Sequence, residues 1–149
     1  MPRRKITDIE EIEGIIKKAI VCHLGLVDGD EPYVVPVCFG YERNTLYFHG
    51  NSEGRKVELI KKNNKICFEM EIDVEVKKAE EACDWAMKYM SVIGMGRAYI
   101  LEKDEEKSHA LRLITKRYAG DELSFPKSEL DKTSVVRVDI ESITGKQLI

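Results

Sequence analysis

Two rhythms of apolar residues alternate along this chain, and the points where one gives way to the other mark its elements. In residues 9–19, Ile12, Ile15, Ile16 and Ala19 recur at helical spacing on a charged background, with Thr7 and Asp8 placed to cap the start. Residues 20–27 are too short and too rich in β-formers for another helix. A turn from Asp28 to Pro32 joins them to a second strand, residues 33–39, as a hairpin. Pro36 cannot donate to a ladder, so it marks an edge or a bulge. A turn at 42–45 leads to a third strand, 46–49, a polar turn, 50–53, and a short helix, 54–62. Asn63 and Asn64 stop that helix. Residues 65–71 follow, with Ile66, Phe68 and Met70 alternating inward. The polar stretch 74–84 reads as a loop with room for a helical turn. Residues 89–101 form a long strand in which Gly94 and Gly96 predict a bend or bulge. Asp104 is placed to cap a helix at 105–118, residues 120–131 read as a loop, and 133–143 as a last strand with Val136, Val138 and Ile140 on one face.

The tally is about six strands and three helices. Turn-length links between the first strands favour an antiparallel sheet, and long Gly-bent strands favour a small barrel. The expected fold is mainly β with peripheral helices, in a single domain covering residues 1–149.

Composition narrows the function only slightly. With 43% apolar and 34% charged residues the chain is globular rather than disordered. A net charge of −3 gives no general attraction to nucleic acid or anionic membrane. Arg3-Arg4-Lys5 reads as a frayed, solvated terminus. No apolar run approaches a membrane span and no signal-type apolar region follows the start, so a cytoplasmic location is expected. Cys22, Cys38, Cys67 and Cys83 include no C-x-x-C pair. The first three lie in apolar strand-like runs and read as buried reduced thiols, so no metal site is expected.

The most informative stretch is Phe48-His49-Gly50-Asn51-Ser52-Glu53-Gly54-Arg55-Lys56. It runs from a strand through a tight turn into a helix that opens on two cations. A helix N-terminus already carries partial positive charge and unpaired N–H groups, so Arg55 and Lys56 are misplaced there unless an anion joins them. Free amides, the helix field and two side-chain charges make a phosphate cradle. The plainer alternative is a solvated first turn, its charge partly offset by Glu53. His49, closing the strand beside the cradle, is the candidate catalytic group; its alternative is a strand-end histidine bonded to the turn. His23 reads as a satisfied core or interface histidine and His109 as solvated. Trp85 and Tyr89 read as packing or as an aromatic wall, and Cys83 lacks a neighbouring cation to activate it.

That stretch resembles the flavin-phosphate segment of the pyridoxamine-phosphate-oxidase-like split barrels. Three others are similar to the branch related to 5-nitroimidazole resistance reductases: Cys22-His23-Leu24-Gly25 with Pro32-Tyr33-Val34-Val35-Pro36-Val37, Tyr89-Met90-Ser91-Val92-Ile93-Gly94-Met95-Gly96, and Val135-Val136-Arg137-Val138-Asp139-Ile140 running into Ile143-Thr144-Gly145-Lys146. The resemblance spans nearly the whole chain. It implies a six-stranded, Greek-key-like antiparallel split β-barrel that binds FMN in a groove between two protomers of a homodimer. By position, it implies that Arg55 and Lys56 hold the phosphate, with Phe48, His49, Gly50, Asn51 and Gly54 at the strand end and turn. It also implies that the backbone of Val35, Pro36, Val37 and Cys38 lies along the flavin ring, and that Tyr89, Ser91 and Val92 reach in from the partner.

The departures are specific. The vitamin B6 oxidases carry a hydroxyl residue at the position of Gly54 and basic residues at those of Val34 and Phe39. Their C-terminal arginine and histidine have no counterpart after Ile143. Pyridoxamine phosphate oxidation is therefore not expected. The implied activity is reduction of a small acceptor, such as a nitro-heterocycle or quinone, with electrons from a nicotinamide or another reduced carrier. Two alternatives stay open: a flavin store or redox sensor without turnover, or a split barrel holding F420 or haem. No nucleophile–base set supports hydrolysis, and no GxGxxG or Walker motif gives a nicotinamide its own fold.

Overall fold

The computed structural model describes residues 2–149. Eight strands and four helices follow in the order β1 (Arg3–Ile6), α1 (Ile9–Lys18), β2 (Cys22–Asp28), β3 (Glu31–Val37), β4 (Phe39–Glu42), β5 (Thr45–Asn51), α2 (Arg55–Lys62), β6 (Lys65–Lys77), β7 (Ala86–Ile100), α3 (Asp104–Ala119), α4 (Lys127–Lys132) and β8 (Thr133–Leu148). A 3-10 turn, Ala82–Asp84, lies between β6 and β7. The strands pair antiparallel in the order β3-β2-β6-β7-β8-β5-β4, and β1 adds to β8. The two ends of this path, β3 and β4, are consecutive in the chain and separated only by Cys38. The sheet is therefore open in its hydrogen bonds but joined covalently at the gap: a split barrel.

The expected six strands become eight for two reasons. Residues 33–39 are one run in sequence, but the chain leaves its β2 partner at Val37 and takes up β5 at Phe39. Residues 3–6 are not a frayed terminus. β8 continues five residues past its expected end, to Leu148, and offers β1 an edge, with Ile6 opposite Gly145 and only 1% exposed. Arg4 secures this strand to Glu11 and Gln147.

Inward positions of the strands form the core, among them Leu24, Phe39, Leu46, Phe48, Phe68, Met70, Val92, Val136 and Val138. Ile12, Ile15 and Ile16 bring the apolar stripe of α1 into the same cluster, and Asp8 caps that helix by accepting from the Glu11 N–H. The bend at Gly94 and Gly96 is a packing requirement. A Cβ at Gly94 would sit 2.1 Å from Phe68, and the β7–β8 register shifts between Met95 and Gly96. The stretch 120–131 is not all loop: α4 buries Leu130 with Leu111, Ile114 and Val135. Asp104 is the first residue of α3 rather than its cap and pairs with Lys127 at 2.9 Å.

The cysteine expectation is corrected in part. Only Cys22 is buried, and burial pushes its thiol up to about 12. Cys38 sits in the gap between β3 and β4, Cys67 points outward from β6, and Cys83 is exposed in the 3-10 turn. Apolar neighbours in sequence do not bury a residue on the outward phase of a strand. No helix among the described residues is long and apolar enough to cross a membrane.

Candidate functional site

The gap at Cys38 leaves two strand edges unpaired. β4 pairs with β5 only from Phe39 and Phe48 onward, while β3 pairs only with β2. The last three residues of β5, His49, Gly50 and Asn51, pair only with Val135, Ser134 and Thr133 of β8. Beyond the Phe39–Phe48 pair, two strands thus diverge, each with a free edge of backbone donors and acceptors.

The start of α2 lies beside this gap. Asn51 shapes the turn: its carbonyl accepts from the Gly54 N–H (2.9 Å) and its side chain from the Glu53 N–H (3.1 Å). Gly54 occupies the cap position without a side-chain cap bond. The first helical bond runs from the Glu58 N–H to the Gly54 carbonyl, so the amides of Arg55, Lys56 and Val57 have no helical acceptor. Lys56 folds back over Gly50; a Cβ there would meet Lys56 Cε at 3.2 Å. Glycine at this position keeps space for the ammonium beside the strand end. Among the described residues Lys56 makes no ion pair.

Arg55 is arranged differently. Its Nη2 donates to Asp28 Oδ2 at 2.7 Å, and its guanidinium lies 4.7 Å from the Tyr33 ring centroid. The β2–β3 hairpin therefore holds Arg55 beside the gap and offsets part of its charge. Asp28 and Tyr33 were not singled out from sequence, where they look like turn and strand residues. Glu53, expected to offset the cations, makes no ion pair among the described residues.

His49 lies beside this cradle on an exposed strand end. The protein packed around the imidazole lowers its pKa below the ordinary value, and the Lys56 charge lowers it further. Replacing Lys56 with methionine is expected to move the His49 titration, followed by NMR, up toward the ordinary histidine value. An unmoved titration would place the Lys56 charge away from the imidazole.

The second group of sequence candidates lies elsewhere. Tyr89 pairs with Leu148 and Ser91 with Lys146, whereas His49 pairs with Val135. On β8, Tyr89 and His49 are thirteen residues apart, roughly 40 Å of extended strand. Tyr89 and Ser91 line a cavity of about 780 Å³ with Met87, Ile93 and Lys146, and none of His49, Gly50, Arg55 or Lys56 takes part in it. One chain does not bring the two groups together. Strand phase also fixes where three candidates point. Phe48, Val37 and Val92 turn their side chains into the core, with Val92 0% exposed, so any contact with a cofactor is left to their backbone. Residue parity puts Tyr89, Ser91, Ile93 and Met95 on the outward phase of β7, where neighbouring side chains cover Ser91 to 5% exposure and leave Ile93 and Met95 exposed.

That outward face is unusually apolar. Ile93 and Met95 on β7 are each 51% exposed, and Val34 on β3, two strands away across β2 and β6, is 68% exposed. Trp85 is half exposed and donates to the Ala79 carbonyl, so it is not core. Within the same face, His23 contacts Glu69 (3.1 Å) and Glu71 (3.5 Å). Burial, with Glu71 adding to it, raises the Glu69 carboxyl to about 7. His23 is thus satisfied as expected, but by a carboxylate pair that strand pairing alone assembles. His109 is not simply solvated: it meets Glu42 at 3.1 Å and stands edge-on to Tyr47.

An open antiparallel barrel whose gap holds a strand-end histidine and a basic helix start defines the class of the split-barrel proteins. The chain belongs to the pyridoxamine 5'-phosphate oxidase family, whose pattern it matches over residues 8–147. It is similar over 99% of its length, at 33% identity and a TM-score of 0.86, to a candidate 5-nitroimidazole antibiotic resistance protein of Bacteroides thetaiotaomicron, 89% of which is covered. The fold is shared with the flavocytochrome Anf3 of Azotobacter vinelandii (22% identity, 97% of this chain and 69% of that one, TM-score 0.83). It is also shared with an FAD-binding protein of Mesorhizobium loti (20% identity, 100% of both chains, TM-score 0.73).

Proposed function

We propose that this chain is an FMN-binding redox protein that works as a homodimer and reduces a small acceptor such as a nitro-heterocycle or quinone. The observation that carries the reading is the break in strand pairing at Cys38 beside the start of α2. It combines a diverging strand edge that can lie along a flat ring with a one-phosphate cradle at the start of α2. The residues fit the group. Lys56 lies over a glycine, three helix amides lack helical acceptors, and the cap residue has no side chain to fill the space. In this reading Lys56 and the α2 amides hold the phosphate, Arg55 guards the gap from its Asp28 anchor, and the β3 backbone orients the ring. His49, its pKa held low, positions an anion or gives a proton to the acceptor. A bound flavin supplies the electron-transfer chemistry, fed by a nicotinamide or another reduced carrier.

The homodimer rests on two observations. The Tyr89–Ser91 group and the cradle lie apart in one chain, and the β7 outward face is apolar and uncovered. A second copy seating that face against the gap joins both groups in one site. Pyridoxamine phosphate oxidation is not part of the proposal, since residues 144–149 contain no arginine or histidine.

FAD is the second reading, favoured by the FAD-binding description of the M. loti protein. The two separate on cofactor released from the purified protein. FMN in near-stoichiometric amount, with a flavin absorption spectrum, is expected. Stoichiometric FAD, a haem or F420 spectrum, or an apo-protein indifferent to added FMN would overturn the assignment. Bound flavin that air reoxidises as fast as any added acceptor would reduce the role to storage or sensing.

A further inference from the structure

We propose that His23, Glu69 and Glu71 form a binding site for a divalent cation, Zn²⁺ by ligand chemistry, on the outer face of β2 and β6. None of the three belongs to the cradle, although Glu69 and Glu71 border the same cavity as Tyr89 and Ser91, and the proposal rests on their own geometry rather than on the flavin reading.

The register fixes the site. His23 pairs directly with Glu69 across β2 and β6, and Glu71, two residues on, projects from the same face. The three ligand atoms lie within 4.8 Å of one another, and all three residues are half-buried. His23 Nδ1 stands 3.1 Å from Glu69 Oε1 and 3.5 Å from Glu71 Oε2. Zinc bonds of about 2.0–2.1 Å in a tetrahedron require ligand atoms about 3.3 Å apart. The two edges from His23 Nδ1 are thus close to those of a zinc tetrahedron, and the two carboxylates lie near enough to close the third by side-chain rotation, without rearranging the strands.

The charge balance points the same way. Two carboxylates in contact repel, and among the described residues neither forms an ion pair with a lysine or arginine. The neighbours across the strands are Pro36 beside His23, Ile93 beside Glu69 and Ser91 beside Glu71, none of them cationic. A dication held between them would neutralise the pair directly, where the cavity-lining Arg3, Arg4, Lys5 and Lys146 form no ion pair with either. An imidazole with two carboxylates is a borderline set that suits Zn²⁺ and leaves a fourth position open. Glu69 and Glu71 also line the 780 Å³ cavity, whose lining includes Arg3, Lys5 and Lys146. The open position thus borders a space with room for water or an anionic ligand.

The test uses the full chain, stripped with chelator and freed of it, titrated with Zn²⁺ by calorimetry and with Co²⁺ by visible absorption. One metal per chain and a tetrahedral Co²⁺ spectrum are expected. Glu69→Gln and His23→Ala should each weaken binding by about a hundredfold or more, since even the residues supporting metal ligands contribute 10–100-fold. Far-UV circular dichroism identifies a variant that fails to fold; the near-isosteric Glu69→Gln and Glu71→Gln then decide the matter. His109→Ala, which breaks the separate His109–Glu42 contact, should bind as the parent does. Absence of saturable binding, or parental affinity in the folded variants, with the exposed cysteines then holding the metal, would overturn the proposal.

Discussion

Replacing Arg55 and Lys56 together by alanine is expected to weaken FMN binding by about a hundredfold or more, with riboflavin affinity nearly unchanged. Charge-assisted hydrogen bonds contribute about 1.5–3 kcal/mol each, and about 1.4 kcal/mol is one decade of affinity. The two cations are not equal partners. Arg55 is shared with Asp28 at 2.7 Å and stacked near Tyr33, while Lys56 lies over Gly50 without an ion pair among the described residues. Lys56→Ala alone should therefore account for most of the loss, at least about a decade. Both side chains are partly or fully exposed, so the variant should fold normally. Fluorescence titration with FMN and riboflavin checks this directly. Unchanged FMN affinity in the folded double variant would place the phosphate elsewhere.

Ile93→Asp is expected to dissociate the proposed dimer and empty the proposed flavin site together. Ile93 is 51% exposed on the outward phase of β7, beside the equally exposed Met95, so a carboxylate there leaves the isolated barrel intact. Against a second copy it becomes an unpaired buried charge, which costs several kcal/mol, about two or more decades of association. The neighbouring Val92 cannot serve for this test. It is 0% exposed in the barrel core, and Val92→Asp would unfold the chain before it tested an interface. Sedimentation and flavin occupancy are read on one sample. A monomer that retains full FMN occupancy, or a dimer unaffected by the charge, would refute the shared site.

Much of the fold was legible in local pattern. The α1 stripe of Ile12, Ile15 and Ile16, the β2–β3 hairpin, the α2 helix and the bend at Gly94 and Gly96 all appear where the sequence puts them. The first three depend on neighbours close in the chain, through periodicity and turn residues; the glycines were legible as breaks in an apolar run, though what requires them, Phe68 and Asp139, is distant. The candidate cradle could be proposed from sequence for the same reason, because Gly50 to Lys56 is one continuous segment. The elements that escaped depend on distant partners. β1 exists because β8 runs on to Leu148, and the break at Cys38 exists because one apolar run changes partners midway.

The sequence by itself determined the identity of most strands and helices, the family resemblance and the position of the basic helix start, since these are written in short-range spacing. Tertiary structure decided which face each strand residue takes, and so turned Val92 inward, left Ile93 uncovered, and exposed Cys38 and Cys67. It also tied Arg55 to Asp28 and gathered His23, Glu69 and Glu71 from two strands. The physical reason is that strand register sets both phase and neighbours, and register is fixed by the whole sheet closing on its core rather than by any one segment.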